Sequence, residues 1–309
     1  MQFEKLDSNP VDMDYTTVRV VESGNILDVT YMTRANRKQT ISKIDKNHFV
    51  VCSTGEILET QEGDSRLSHK NYLYNTFRMI RNLVNANVTE VENCLWCTLT
   101  YAENMKDDIR LMKDFDSFRK RFIRHLQKVG ADIPEYISVP EPQQRGAWHL
   151  HIIYIWTHKA PFVPNETLAK IWGHGFVSVK SLSKFGNACD NVGAYLTAYL
   201  GDLEIDSAAA VVDGEHIIGK VYSEDGKLIS KKIVKGGRLN LYPPGFKMIR
   251  HSKGIKQPLV YDSPYSDIKE KVSAGTETFS SCFRLSDSVN DFESVVVKKQ
   301  FNLKRKASQ

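Results

Sequence analysis

Residues 136–156 read YISVPEPQQRGAWHLHIIYIW and contain two extended apolar runs. Two extended runs flank PQQRG, whose proline and glycine favour a tight connection between antiparallel strands. The sequence therefore predicts a β-hairpin. If the hairpin turns about Arg145, Glu141 lies directly opposite His149, with the two Cβ atoms about 5 Å apart.

Segments on both sides of the hairpin predict an α+β domain, with a central antiparallel sheet flanked by helices. Apolar residues at helical spacing indicate helices, and short apolar runs indicate strands. The predicted helices cover residues 66–85, 106–129, 165–172 and 187–200, and further strands cover 93–101 and 176–179.

The domain that contains the hairpin is predicted to cover residues 89–205. Residues 1–88 precede it, with a small antiparallel β unit followed by a basic helix. Residues 206–309 form an accessory region with hairpin-like segments and a basic stretch. The polar tail of this region is expected to be partly disordered.

The composition is that of an ordinary globular chain, with 309 residues of which 41% are hydrophobic and 26% charged. No segment has the length and apolarity of a membrane span, and the amino terminus lacks the apolar core of a signal peptide. We therefore expect a cytoplasmic protein that does not bind membranes. The odd, scattered set of five cysteines predicts free thiols, and Cys94 and Cys97 are expected to pack in a strand core rather than bind zinc.

Two histidines of the hairpin are candidate metal ligands. Strand periodicity sends His149 and His151 to the same face, and imidazole is a common metal ligand. Glu141 would supply a third ligand, leaving the open coordination positions that are typical of a catalytic site. The carboxylate favours Mg²⁺ or Mn²⁺, with zinc as an alternative. Two ordinary strand histidines are the competing interpretation, and a register slip of one residue turns Glu141 to the other face.

Tyr195 and Tyr199 lie four residues apart in the last of the predicted helices, so that one helical face presents both hydroxyls. An amphipathic stripe that ends in tyrosines is the alternative interpretation. Beside an open metal site, a tyrosine hydroxyl is a suitable nucleophile for in-line displacement at a phosphodiester, which conserves the bond energy as a phosphotyrosine.

The net charge of +5 is mild, but basic residues cluster on the 106–129 helix and between residues 231 and 256. Such clusters contact phosphates in some proteins and are merely solvated faces in others. The candidate phosphate-binding residues are Arg119, Lys120, Arg124, Lys128, Arg145, Lys180, Lys184, Arg250 and Lys253.

The motifs TLTY (98–101), HLH (149–151) and YLTAYLGD (195–202) together resemble the three motifs of HUH-superfamily rolling-circle replication initiators. The likeness is greatest to the plasmid and filamentous-phage gene-II-like replication proteins of bacteria. It extends to TFRMIRNLVNANV, ENCLWCTLTYAENM, VPEPQQRGAWHLH, WGHGFV and LYPPGFKMIRHSKGIKQP. The resemblance implies an HUH endonuclease fold with an RRM-like core between N-terminal and C-terminal accessory regions.

The resemblance also implies that His149, His151 and Glu141 bind the metal and that Tyr195 and Tyr199 attack DNA. The expected enzyme nicks one strand at an origin, keeps the 5′ end as a phosphotyrosine, leaves a 3′ hydroxyl as primer and later rejoins the strand. Its expected partners are single-stranded or hairpin origin DNA and a host helicase with the replication machinery. Alternatives with the same chemistry are a conjugative relaxase and a single-strand transposase.

One departure from the family pattern concerns the charge near the tyrosines. Family members commonly carry a lysine three residues after each tyrosine, whereas this sequence has Ala198 and Asp202. Since a free tyrosine has a pKa of about 10, another positive charge or the metal must help the hydroxyl to ionise. Lys180, Lys184 or a residue of the basic C-terminal stretch is the candidate substitute. The departure also motivates a third alternative, a non-catalytic DNA-binding copy-control protein.

Overall fold

The computed structural model of the protein shows a mixed α+β chain built on antiparallel sheets. The residues that the structure describes are 2–35, 41–45, 48–52, 54–59, 70–143, 145–182, 191–194, 197, 203–204, 216–222, 228–234, 242–243, 246–288 and 291–305.

Strands are numbered along the chain. They are β1 (Gln2–Leu6), β2 (Thr17–Ser23), β3 (Ile26–Met32), β4 (Ile41–Lys43), β5 (His48–Val51), β6 (Ile57–Glu59), β7 (Cys94–Tyr101), β8 (Glu135–Pro142), β9 (Trp148–Ile155), β10 (Gly175–Ser181), β11 (Leu203–Glu204), β12 (His216–Tyr222), β13 (Leu228–Val234), β14 (Arg250–His251), β15 (Leu259–Pro264), β16 (Thr276–Asp287) and β17 (Phe292–Asn302). The helices are α1 (Lys70–Asn87), α2 (Asp108–Lys128), α3 (Asn165–Trp172) and α4 (Tyr265–Ser273).

The chain divides into two compact units by its internal contacts. The first comprises Met1–Glu22, Ile26–Asp64 and Leu259–Gln309, and the second comprises Ser23–Asn25 and Ser65–Pro258. This division differs from the three consecutive segments expected from sequence, because strands near both chain ends pair in one sheet. That sheet has the order β1-β16-β17-β3-β2-β15, and a separate sheet has the order β4-β5-β6.

The polar tail, which is expected from sequence to be partly disordered, contains two long strands among its described residues. β16 and β17 form a long antiparallel pair, and β17 also pairs with β3. The polar composition is misleading, because side chains alternate between the two faces of such strands. Val297 and Phe301 pack in the core of this unit while Lys298 is exposed, so a few apolar residues suffice to anchor the strand.

The second unit contains the predicted antiparallel sheet flanked by helices, with the strand order β10-β7-β9-β8-β14. Along the chain its central elements run β7, α2, β8, β9, α3 and β10. The predicted helix at 165–172 matches α3, and α2 begins two residues later than predicted. Its start is fixed by Asp107, whose side chain accepts hydrogen bonds from the backbone N–H groups of Ile109 and Arg110.

The two faces of this sheet bury different apolar cores. On one face, α2 and α3 contribute residues such as Phe118 and Trp172, which pack against Leu99 and Leu150 of the central strands. On the other face, α1 contributes Ile80, Leu83 and Val84, and these contact Trp96, Val139 and Ile153. Strands with one core on each face must be apolar on both sides, which is why β7 and β9 are nearly continuous apolar runs.

The described residues of the second unit also form a small sheet with the order β11-β13-β12. Among the helices that the structure describes, none combines the length and the apolarity needed to cross a membrane.

Candidate metal centre

The hairpin formed by β8 and β9 has the register that the sequence predicts. Glu141 is paired with His149, and Val139 is paired with His151. On the other side of β9, the strand β7 places Thr100 opposite His149 and Thr98 opposite His151. Since directly paired residues point to the same face, the glutamate, both histidines and both threonines share the face that α1 covers in part.

The two histidines and Glu141 converge on one point. Their candidate ligand atoms all lie within 4.8 Å of one another. The Nε2 atom of His151 contacts a carboxylate oxygen of Glu141 directly, and each of these two side chains is only 2% exposed. The Nε2 atom of His149 is also buried, and it has no hydrogen-bond partner among the described residues. A buried imidazole nitrogen without a partner, beside a buried carboxylate, suits a divalent cation.

Thr98 contacts the ring nitrogen of His151 that does not face Glu141. Its Oγ1 atom lies 3.1 Å from Nδ1 of His151 and accepts a hydrogen bond of 3.2 Å from Nε1 of Trp96. When Nδ1 of His151 is the protonated nitrogen, it donates to Thr98 and the Nε2 lone pair faces Glu141. A hydrogen bond to the ring nitrogen that does not bind the metal fixes the tautomer and the orientation of the imidazole.

Burial keeps both imidazoles neutral at ordinary pH. It lowers the pKa of His149 to about 4, with smaller contributions from the neighbouring His151 and from the charge of Arg145. Burial likewise lowers the pKa of His151 to about 3. Neutral imidazole is the form that binds a metal, so no proton has to be removed from these rings at pH 7.

The three side chains therefore fit a divalent cation. Two imidazoles and one carboxylate supply fewer donors than any common divalent ion takes, so that positions remain for water or substrate oxygens. The donor set is compatible with Mg²⁺, Mn²⁺ or zinc.

The segment that contains the predicted nucleophiles starts on the same face of the sheet. Val192 belongs to the apolar cluster of Val139 and Ile153, and its backbone begins a helical turn. Asn85 of α1 holds this start, because its Oδ1 accepts from the backbone N–H of Gly193 at 2.8 Å and its Nδ2 donates to Oδ1 of Asn191 at 2.8 Å. Tyr195, Tyr199, Ala198, Asp202 and Lys184 lie outside the described residues.

The candidate phosphate-binding residues occupy several places in the second unit. Lys120, Arg124 and Lys128 are exposed on α2, four residues apart. Arg119 lies over the ring of Tyr136 at 4.4 Å and, with Lys253, lines a cavity of about 230 Å³ on the α2 face of the sheet.

The other described basic candidates lie on the strands or beside them. Arg145 is exposed in the hairpin turn, close enough to His149 to affect its pKa. Lys180 is paired with Trp96 on the face of the sheet that carries Glu141, His149 and His151, the metal face. Arg250 of β14 is paired with Ser138. The structure thus divides the set between the two faces rather than bringing it to one surface.

Several residues of this site are not apparent from the sequence. Thr98 lies in the TLTY motif, but only the strand register reveals its contact with His151. Asn85 gives no sequence signal beyond a polar residue in an amphipathic helix.

The prediction for the cysteine pair is confirmed. Cys94 and Cys97 are buried and free, and they lie in the apolar clusters on opposite faces of β7. Burial raises the pKa of Cys94 to about 12 and raises the pKa of Cys97 further. Neither thiol is therefore ionised at neutral pH.

One segment of the chain is similar to a known protein family. No curated protein and no solved structure matches the chain significantly. Residues 94–204 match the model of a family of replication-associated proteins, that of ORF2 and the gene II protein. This segment contains Tyr195, Tyr199 and the candidate metal group, which comprises Glu141, His149 and His151.

Proposed function

We propose that the protein is a rolling-circle replication initiator of the HUH type, which nicks one DNA strand by tyrosine attack. The observation that carries the proposal is the convergence of Glu141, His149 and His151 within 4.8 Å on a single sheet face. The same face receives the start of the segment that contains Tyr195 and Tyr199.

The fold supports this assignment. The elements β7-α2-β8-β9-α3-β10 with the sheet order β10-β7-β9-β8 follow the split β-α-β-β-α-β pattern. RRM-like cores have this pattern, and we assign the HUH core to this part of the second unit. The family match over residues 94–204 covers all six of these elements.

A divalent ion bound by the three side chains would neutralise and polarise the scissile phosphodiester. Tyr195 or Tyr199 then loses its phenolic proton and its oxygen bonds to phosphorus, while the bond from phosphorus to the 3′ oxygen breaks. The departing 3′ oxygen takes up a proton and becomes the primer hydroxyl. The 5′ end stays on the protein as a phosphotyrosine until a 3′ hydroxyl attacks it and rejoins the strand.

The proposed substrate is single-stranded or hairpin DNA of a replication origin. Basic residues on α2 and Lys180 on the metal face would contact its phosphates. Lys180 is also the described candidate for the positive charge that the family pattern places after each tyrosine. A helicase and the replication machinery of the host would extend the nicked strand.

The test is formation of a covalent adduct with labelled origin oligonucleotide in the presence of Mn²⁺, separated on a denaturing gel. Tyr195→Phe and Tyr199→Phe are assayed singly and together, with Tyr15→Phe as control because Tyr15 is an exposed tyrosine of the first unit. We expect the adduct to disappear in the double variant and to persist in the control. An adduct that persists in the double variant would rule out both nucleophiles.

A non-catalytic DNA-binding copy-control protein is the second candidate, favoured by Ala198 and Asp202 at the positions where lysine is common. It predicts origin binding by the wild-type protein without any adduct, whatever the metal. The same gel, run beside a binding assay, distinguishes the two functions.

A further inference from the structure

An exposed aromatic side chain lies on the metal face of the sheet, on the edge strand β10. Phe176 is paired with Thr100 of β7, and Thr100 is paired with His149 of β9. His149 is in turn paired with Glu141 of β8. Because directly paired residues point to the same face, these four side chains form one row across the sheet.

Exposure rises along this row from β8 to β10. Glu141 is 2% exposed, His149 and Thr100 are half-buried, and Phe176 is 70% exposed. With neighbouring strands about 4.8 Å apart, Phe176 lies about 10 Å from the position of His149. Exposure along the row is therefore lowest at Glu141 on β8 and highest at Phe176 on β10.

Packing within the fold does not account for this phenylalanine. Val177 and Val179 point to the opposite face of β10 and pack against its apolar core. Phe176 instead leaves most of its side chain in solvent, although burial of such an apolar side chain would stabilise the fold. Lys180 shares its face of β10, about 13 Å further along the strand, and forms no ion pair within the described part of the chain.

We propose that Phe176 is a stacking platform for an unpaired nucleobase of the strand that reaches the metal group, with Lys180 contacting a phosphate of that strand. Single-stranded nucleic acids bind in this way, through bases stacked on aromatic rings beside a basic track. Every base has a π-face, so that Phe176 contributes affinity with little sequence preference. The identity of the strand rests on the proposed function.

The test compares two labelled strands of about 12 nucleotides, one of thymidines and one fully abasic, by fluorescence anisotropy in EDTA. Both strands carry the same phosphates, so the ratio of their affinities reports contacts to bases alone. We expect Phe176→Ala to lower the preference for the thymidine strand by about 5- to 100-fold. Phe176→Trp should retain the preference. Lys180→Gln should lower the affinity for both strands by the same factor.

Phe162 provides the matched control. It is 90% exposed in the loop that leads to α3, the helix that packs on the opposite face of the sheet. Phe162→Ala should leave the preference unchanged. An unchanged preference in Phe176→Ala would overturn the proposal. So would sedimentation data showing that Phe176→Ala dissociates a wild-type dimer, because Phe176 would then be a contact between copies of the chain.

The binding assay does not depend on cleavage, since EDTA removes the metal. Lost preference in Phe176→Ala together with a missing tyrosine adduct would support the stacking platform and reject the proposed chemistry. An adduct that forms while the preference stays unchanged would reject the stacking platform alone.

Discussion

Glu141 and His149 face each other across the β8–β9 hairpin, and the carboxylate of Glu141 contacts His151 two residues further along β9. One pair of adjacent strands therefore supplies all three candidate ligands. Their relative positions are fixed by backbone hydrogen bonds and by the apolar cores on both faces of the sheet. A site on rigid strands holds its geometry more closely than a site on loops.

We predict that Mn²⁺ binds to one site made by these three side chains. Isothermal titration calorimetry should show binding by the wild-type protein and none by the His149→Ala, His151→Ala double variant, because the carboxylate alone is a weak ligand. His158→Ala is the control, since His158 is exposed in the turn after β9. Unchanged affinity in the double variant would refute the site, and unchanged affinity in Glu141→Gln would refute only the third ligand.

Thr98 gives a second prediction, which concerns the orientation of a ligand rather than the ligand itself. Thr98→Val removes the hydroxyl that meets Nδ1 of His151, and loss of such a partner typically lowers metal affinity by about 10- to 100-fold. Thr100→Val is the matched control. Thr100 lies on β7 like Thr98 and is paired with His149, but its side chain forms no hydrogen bond with the described residues. Equal Mn²⁺ affinities of the two variants would contradict the prediction.

The register of the hairpin was predictable because two local sequence features indicate it. PQQRG locates the turn, and the alternation in WHLHII locates the faces, so that Glu141 and His149 meet for any hairpin centred on Arg145. The bounds of α3 were predictable for a similar reason, since Pro164 and Gly173 flank its apolar residues. Such signals are local, so they predict where an element begins and ends without information from distant residues.

The remaining features depend on pairings between distant segments. The strand β17 pairs with β3, which lies near the other end of the chain. The sequence pattern within either strand does not predict which strand it pairs with. The position of Phe176 beside the metal group follows only from the pairing of β10 with β7. Thr98 and Asn85 were missed for the same reason, because each acts through a contact with a remote residue.

A third prediction concerns Asn85, which we regard as a positioning residue. Asn85→Ala leaves the buried N–H of Gly193 without its acceptor, which should lower the free energy of unfolding by about 1–3 kcal/mol in urea titrations. Asn82→Ala removes the same atoms from a buried position of α1, but Oδ1 of Asn82 has no partner among the described residues. Asn82→Ala should therefore lower the free energy of unfolding by less than Asn85→Ala does.

The role of Asn85 in positioning is separable from its role in stability. If Asn85 orients the tyrosine segment, Asn85→Ala should slow adduct formation at saturating oligonucleotide while the affinity in EDTA stays near that of the wild-type protein. Equal rates for Asn85→Ala and Asn82→Ala would assign a purely structural role to Asn85.

The fourth prediction is a loss of stability of the metal-free protein in mild acid. Burial lowers the pKa of His149 to about 4, from an ordinary value of about 6.5 in the unfolded chain. Between these values the unfolded chain binds more protons than the folded one, so that stability is complete above pH 6.5 and falls as the pH drops toward 4. Urea titrations in EDTA should show a shallower fall for His149→Gln, and parallel curves would contradict the assignment.

The last prediction addresses the basic side of α2. Lys120 and Arg124 are exposed one turn apart and can reach neighbouring phosphates of one strand. For single strands the logarithm of affinity falls with the logarithm of salt concentration by about 0.7 for each phosphate contacted. If both residues contact phosphates, Lys120→Gln with Arg124→Gln should therefore reduce that slope by about 1.4. The control pair is Lys159→Gln with Lys170→Gln, which removes the same charge from exposed positions outside α2. A solvated helix face would instead give the same slope for both pairs and for the wild-type protein, and α2 would then have no part in DNA binding.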